Sequence, residues 1–207
     1  MASPQSLTGL TGIGLLFVWC ALALGPRRRP WLVGALAFGL SWLPVSGMTL
    51  AGYIRAVSSD LSVTSMALLT CAMAPQLGAS SLGSRDEWRF VFRLVATGGL
   101  FLYPMVLGLG PFDPYTLGFA PTGLLALLAL TAGLAWWRRY HVCLGAIVLS
   151  VLAFRLDLLE SSNLWDYLLD PWLVLYAIYD LRPWRRNVQT TCEAASRPRR
   201  ALRGSSA

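Results

Sequence analysis

The residues able to do chemistry gather late in the chain. From Arg155 to Asp170 the sequence reads RLDLLESSNLWDYLLD, which sets Arg155, Asp157, Glu160, Asp166 and Asp170 between two apolar segments. A smaller group, Arg55 with Ser58, Ser59 and Asp60, precedes the apolar run that starts at residue 61. Carboxylates placed this way can act as general bases or divalent-metal ligands, and an arginine fork can hold a phosphate or a carboxylate. Asp170 stands out because it lies inside an apolar run and is followed by Pro171, whose ring leaves a carbonyl one turn earlier without its helical donor. A carboxylate left unpaired in lipid costs about 2.5–3.5 kcal/mol or more. Asp170 is therefore expected either to pair with Arg55 or Arg155, or to carry a proton or cation in a hydrated pocket.

One candidate site follows: a polar cluster of Arg55, Asp60, Arg155, Asp157, Glu160, Asp166 and Asp170 on a single face. Asp166 and Asp170, four residues apart, should form one helical stripe pointing into the bundle, with Trp165 and Trp172 off that stripe. Simpler roles are also open to these residues. Arg55 can snorkel at an interface while Ser58, Ser59 or Asp60 caps the next helix. Asn163 with Asp166 can cap the last helix, and Arg155 can pair with Asp157 or Glu160.

Several chemistries are excluded by what the chain lacks. His141 is the single histidine, so neither a His-based metal cluster nor a Ser–His–Asp arrangement beyond that one residue can be built. The cysteines, Cys20, Cys71, Cys143 and Cys192, are far apart, with no C-x-x-C spacing. No G-x-x-x-x-G-K-[ST] loop, strand-borne G-x-G-x-x-G or H-E-x-x-H is present. No cofactor and no metal site is expected, and catalytic residues are left unassigned.

The elements that must position these residues are apolar. Of 207 residues, 56% are hydrophobic and only 13% charged, with mean hydropathy +0.56, which is the composition of an integral membrane protein. A span needs about 20 apolar residues. Seven runs qualify as expected spans, at 7–24, 31–52, 61–80, 88–109, 117–137, 141–158 and 164–181. The fold class is thus an all-α transmembrane helix bundle, a domain over 1–185, followed by an Arg-rich tail over 186–207 that should be disordered. Span two, with Pro44 and Gly47, is expected to be bent. Ser84 and Glu87 match a capping box at the start of span four.

All seventeen basic residues are arginines, and all but Arg55 and Arg155 fall at alternate span ends or in the tail. The positive-inside rule then puts the N-terminus outside and the C-terminus in the cytoplasm, in the cell (inner) membrane. The net charge of +7 is accounted for by topology and by attraction to anionic headgroups, without nucleic acid. Arg85, Arg89 and Arg93 recur every four residues and suit lipid phosphates. Trp136, Trp137 and Tyr140 beside Arg138 and Arg139 read as an aromatic belt. Six of the ten acids fall on the opposite, outer face, a bias that insertion does not require. The first functional expectation is a non-catalytic accessory or scaffold of the cell envelope whose outer charges dock a membrane or envelope protein. The alternatives are a proton- or cation-coupled small-solute transporter using Asp170, and a membrane-embedded enzyme acting on a lipid-linked or headgroup substrate at the outer leaflet.

Overall fold

The computed structural model describes residues 3–25 and 28–182; the tail from 186, with Cys192 and Glu193, lies outside the described residues. Nine α-helices follow in chain order among them. They are α1 (Pro4–Leu24), α2 (Pro30–Ser41), α3 (Leu50–Ser58), α4 (Val63–Met73), α5 (Arg85–Val106), α6 (Thr122–Trp137), α7 (His141–Arg155), α8 (Leu164–Leu168) and α9 (Pro171–Asp180). The all-helical class expected from the sequence is what is found, with one exception. Strands β1 (Pro44–Val45) and β2 (Met48–Thr49) make a minimal antiparallel hairpin. Of the helices, α1 and α5 are long and apolar enough to cross a membrane, while α2, α6, α7 and the run Val63–Leu77 are apolar but shorter.

Side-chain caps explain most of the helix starts. Ser3, Thr49, Ser62, Ser84 and Asn163 each accept a hydrogen bond from a backbone nitrogen of the first turn, satisfying donors that the helix itself leaves unpaired. The cap of α4 is thus Ser62, and the expected cap at Ser58, Ser59 or Asp60 is not used.

Two expected spans are broken rather than bent. Residues 31–52 do not form one helix: the chain leaves α2 at Ser41, makes the hairpin, and re-enters helix at Leu50. Pro44 supplies no backbone donor, and Ser46 and Gly47 both take positive φ (48° and 94°), the pattern of a two-residue hairpin turn. Residues 164–181 likewise divide into α8 and α9, because Leu169 and Asp170 are extended (φ −133° and −131°). Asp166 and Asp170 therefore do not share a helical stripe. The residue before a proline is pushed out of the helical region, and here Asp170 becomes the cap of the helix that Pro171 opens.

Packing places the core between α4, α5, α7 and α9, where Leu68, Val91, Val95, Cys143, Val174 and Ala177 are buried together. A second cluster, with Leu124, Ala153, Leu159, Leu164 and Tyr167, joins α6, α7 and α8 at the other end. Gly99 lets α5 approach α9 closely, since a β-carbon there would overlap Val174.

Candidate functional site

The polar residues expected to form one cluster sort into three hydrogen-bonded sets, with Arg155 and Asp157 outside them. In the first, α3 ends at Ser58, and the positive φ of 64° at the capping Ser59 turns the chain back on itself. Asp60 thereby meets Arg55. The guanidinium grips Asp60 with two nitrogens, Nε to Oδ1 and Nη2 to Oδ2, the latter at 2.9 Å. Nη2 also lies 2.9 Å from Glu160 Oε1, so the trio carries one net negative charge. The hydrogen bonds that Arg55 donates to Asp60, with the nearby charge of Asp60 and Glu160, hold the Arg55 pKa above its usual value, against the opposing effect of burial. The trio borders an open cavity of about 430 Å³ that also touches Leu10, Thr49 and Ser59. Gly9 on α1 runs directly beneath it, and a β-carbon at that position would overlap Asp60 Oδ1.

The second set surrounds Asp170, which is only 4% exposed. Its Oδ1 accepts from Leu173 N at 2.8 Å, capping α9. Its Oδ2 accepts from Ser62 N at 3.0 Å, from Ser62 Oγ at 2.8 Å and from Ser65 Oγ. The carboxylate thus lies between the N-terminal ends of α4 and α9, where helix dipoles favour a negative charge. Next to it Thr64 Oγ1 and Ser150 Oγ lie 3.0 Å apart and join α4 to α7. Asp170 pairs with neither Arg55 nor Arg155, contrary to expectation. Two helix ends stabilise it instead, by the donors they bring to both of its oxygens.

The third set ties the loop after α7 to the short 3₁₀ turn Pro114–Gly118. Asp166 Oδ2 accepts from Tyr115 Oη at 2.9 Å and from Ser161 Oγ. Asn163 Nδ2 donates to Tyr115 O and Trp165 Nε1 donates to Pro114 O, each at 2.9 Å. Burial and the bond to Asp166 push the Tyr115 phenol up to about 12.

Arg155 and Asp157 join none of these sets. Both are exposed at the end of α7, Asp157 with a positive φ of 50°. The expected pairing of Arg155 with Asp157 or Glu160 is absent among the described residues, because Glu160 turns to Arg55 instead. Arg85 and Arg93 are exposed at the far end of the bundle, on the first turns of α5; Arg89, beside them, stands 3.9 Å from Asp86 in a weak surface pair.

One buried acid has a role that the sequence reading did not assign. Ser84 caps α5 as expected, but the Glu87 carboxylate does not close the capping box. It reaches across to α7, where Oε1 accepts from Val142 N and from Cys143 N, the latter at 3.1 Å, and it is 2% exposed. The capping-box pattern pointed to the residue, and nothing in the sequence pointed to a partner 55 positions away.

Chemically, the Asp170 set is closed. Asp170 receives four donors, about as many as a carboxylate can accept. Asp60 is engaged by Arg55, and Asp166 by two hydroxyls. Among the described residues no group of three His, Cys, Asp or Glu side chains stands close enough to hold a metal ion. Comparison with protein-family profiles, with curated proteins and with solved structures gives no match.

Proposed function

We propose that the chain is a multi-pass protein of the cell membrane, N-terminus outside and C-terminus cytoplasmic, that serves as a non-catalytic accessory or scaffold of the envelope. Two apolar helices of crossing length support membrane insertion. So does the outward face of α6 and α7, where Leu127, Leu130, Leu134, Val148, Leu149 and Leu152 are all exposed. An apolar surface this broad fits hydrocarbon and does not fit water. On this reading the shorter apolar helices complete passes in pieces. Such breaks are tolerated where the freed backbone is buried in protein, as at the junction of α4 and α9.

The observation that carries the accessory reading is the saturation of the buried Asp170 by four donors from the chain itself, with Asp60 held in an ion pair by Arg55 and one oxygen of Asp166 held by two hydroxyls. A proton carrier or a general base needs a position open to solvent or substrate. What remains accessible is a rigid rim with Glu160 and Asp157 exposed, suited to a partner bearing basic groups. The test has two arms. Cysteines introduced at Asp113 and Glu160 should react with an impermeant maleimide in intact cells, and cysteines at Arg85 and Arg138 only after permeabilisation. A photo-crosslinker at Glu160 should give one discrete protein adduct that Asp157→Lys abolishes. Equal labelling of all four positions rejects the topology, and adducts indistinguishable from those of a crosslinker at Leu130 reject the docking role.

A further inference from the structure

An apolar cavity of about 520 Å³ opens between α1 and α4 on one side and α5 and α9 on the other. Its wall along α4 and the residues flanking it runs from Leu61 to Pro75, about 20 Å at the helical rise, which leaves a mean width of about 8–9 Å once a water radius is added on each side. A helix with its side chains needs a diameter of about 10–12 Å, wider than that, so the cavity suits a narrower occupant. The shape is a slot, longer than it is wide. Trp19 and Tyr176 meet edge-on across it at 6.5 Å, and Tyr176 in turn meets Phe92 at 5.5 Å.

Two polar groups along the slot are already engaged within the chain. Ser65 Oγ donates to Asp170, and Trp88 Nε1 donates to Leu82 O at 2.9 Å. An occupant therefore finds a lining that is mainly aliphatic and aromatic. One mouth is more polar. That mouth, bounded by Ser81, Gly83 and Trp88, lies at the first turn of α5. At 100° per residue, Arg85 projects within about 20° of Phe92, and Arg89 about 60° from it. Arg85 and Arg89, the latter 3.9 Å from Asp86, thus lie on the turns of α5 beside that mouth without lining the cavity itself.

We propose that this slot holds one acyl chain of an anionic phospholipid from the leaflet on the arginine-rich side, with the headgroup phosphate between Arg85 and Arg89. The chain of the lipid lies against Leu69, Ala72 and Phe92, and bridges α4 to α5 and α9 where their side chains leave space. The inference rests on the membrane reading above and adds a specific ligand to it.

Native mass spectrometry of the full chain in mild detergent tests it. After delipidation, titrated phosphatidylglycerol should bind saturably at one molecule per chain. Its preference over phosphatidylcholine with the same acyl chains should be about fivefold for each arginine engaged. Ala72→Phe fills the slot and should abolish binding of both lipids. Arg85→Gln with Arg89→Gln should keep one bound lipid and erase the preference. Retention by Ala72→Phe at the level of the unsubstituted protein, or uptake without saturation (annular lipid only), overturns the proposal. Should Ala72→Phe fail to fold, the unsubstituted chain still decides: mid-chain brominated phosphatidylglycerol must quench tryptophan saturably, and a linear response refutes the slot. Extraction of the protein from membranes by alkaline carbonate would instead strike at the membrane reading, whatever the lipid titration gives.

Discussion

Ser62 gives Asp170 both its backbone N–H, at 3.0 Å, and its hydroxyl, at 2.8 Å, across 108 positions of sequence. This double contact welds the start of α4 to the start of α9. Each of these helices would otherwise bury unpaired first-turn donors, and each supplies the positive end that makes a buried carboxylate tolerable. The same device recurs where Glu87, from α5, caps α7 through Val142 and Cys143. Two buried acids thus act as cross-helix caps, and both fix the ends of helices that line the core.

Asp170 should accordingly be a stability residue. Asp170→Asn replaces an acceptor with an amide whose nitrogen opposes donors from Ser62 or Ser65, and unpaired buried donors cost about 1–3 kcal/mol each. A loss of about 3 kcal/mol, read as a lowered thermal midpoint in detergent, is the expected outcome. Ser62→Ala should cost less, and the double variant should cost less than the sum of the two. Unchanged melting of Asp170→Asn would return the residue to the list of candidate proton carriers.

Glu87 gives a graded test of the same idea. Glu87→Gln keeps a carbonyl oxygen able to accept from Val142 N and Cys143 N, so it should lose only part of the stability, about 1 kcal/mol. Glu87→Ala removes the acceptor and should lose about 2–3 kcal/mol, with faster amide exchange confined at first to the start of α7. Equal losses in the two variants would show that the carboxylate is not acting as the cap.

How much of this was readable beforehand depends on the range of each interaction. Hydrophobic runs and arginine placement are local signals, and they located most helices, the Ser84 and Asn163 caps, and Arg55 beside an acid. What they missed was set by partners distant in sequence. Leu164 to Asp180 is apolar enough to read as one helix; Pro171 marks the break locally, but the donors of Ser62 and Ser65 that hold Asp170 there come from more than a hundred positions away. The same holds for Glu160, whose neighbour Arg155 was the obvious partner. Arg55, 105 positions earlier, is where it goes. Pro44 and Gly47 did mark a disruption, but a bend and a hairpin are written with the same two residues.

Tyr115 links the fold to pH. Its phenol rises from the usual value near 10 to about 12, chiefly through burial and then through Asp166. A group that keeps its proton longer in the folded state adds stability that is complete below pH 10 and is lost as the pH climbs to about 12. Tyr115→Phe should remove this alkaline loss while giving up the bond to Asp166 at every pH. Phenolate difference absorbance between the two proteins should show one late-titrating group, and a difference centred near pH 10 would contradict the assignment.

The Arg55–Asp60 pair depends on a glycine in another helix. Gly9 lies so close beneath the pair that a β-carbon would overlap Asp60 Oδ1 and crowd Arg55 Nε. Gly9→Ala ordinarily favours a helix by up to about 1 kcal/mol. Here it should destabilise, because the fork must open or α1 must retreat from α3. If the clash with the pair is the cause, the penalty should shrink in an Arg55→Ala background, where the side chain above Gly9 is gone and Asp60 can move. Arg55→Lys should behave differently, losing the two-nitrogen grip and about 1 kcal/mol of a partly exposed pair. Measured as thermal midpoints of the four combinations of Gly9→Ala and Arg55→Ala, the coupling should be positive. Strict additivity would mean that the two helices meet at Gly9 without regard to the ion pair.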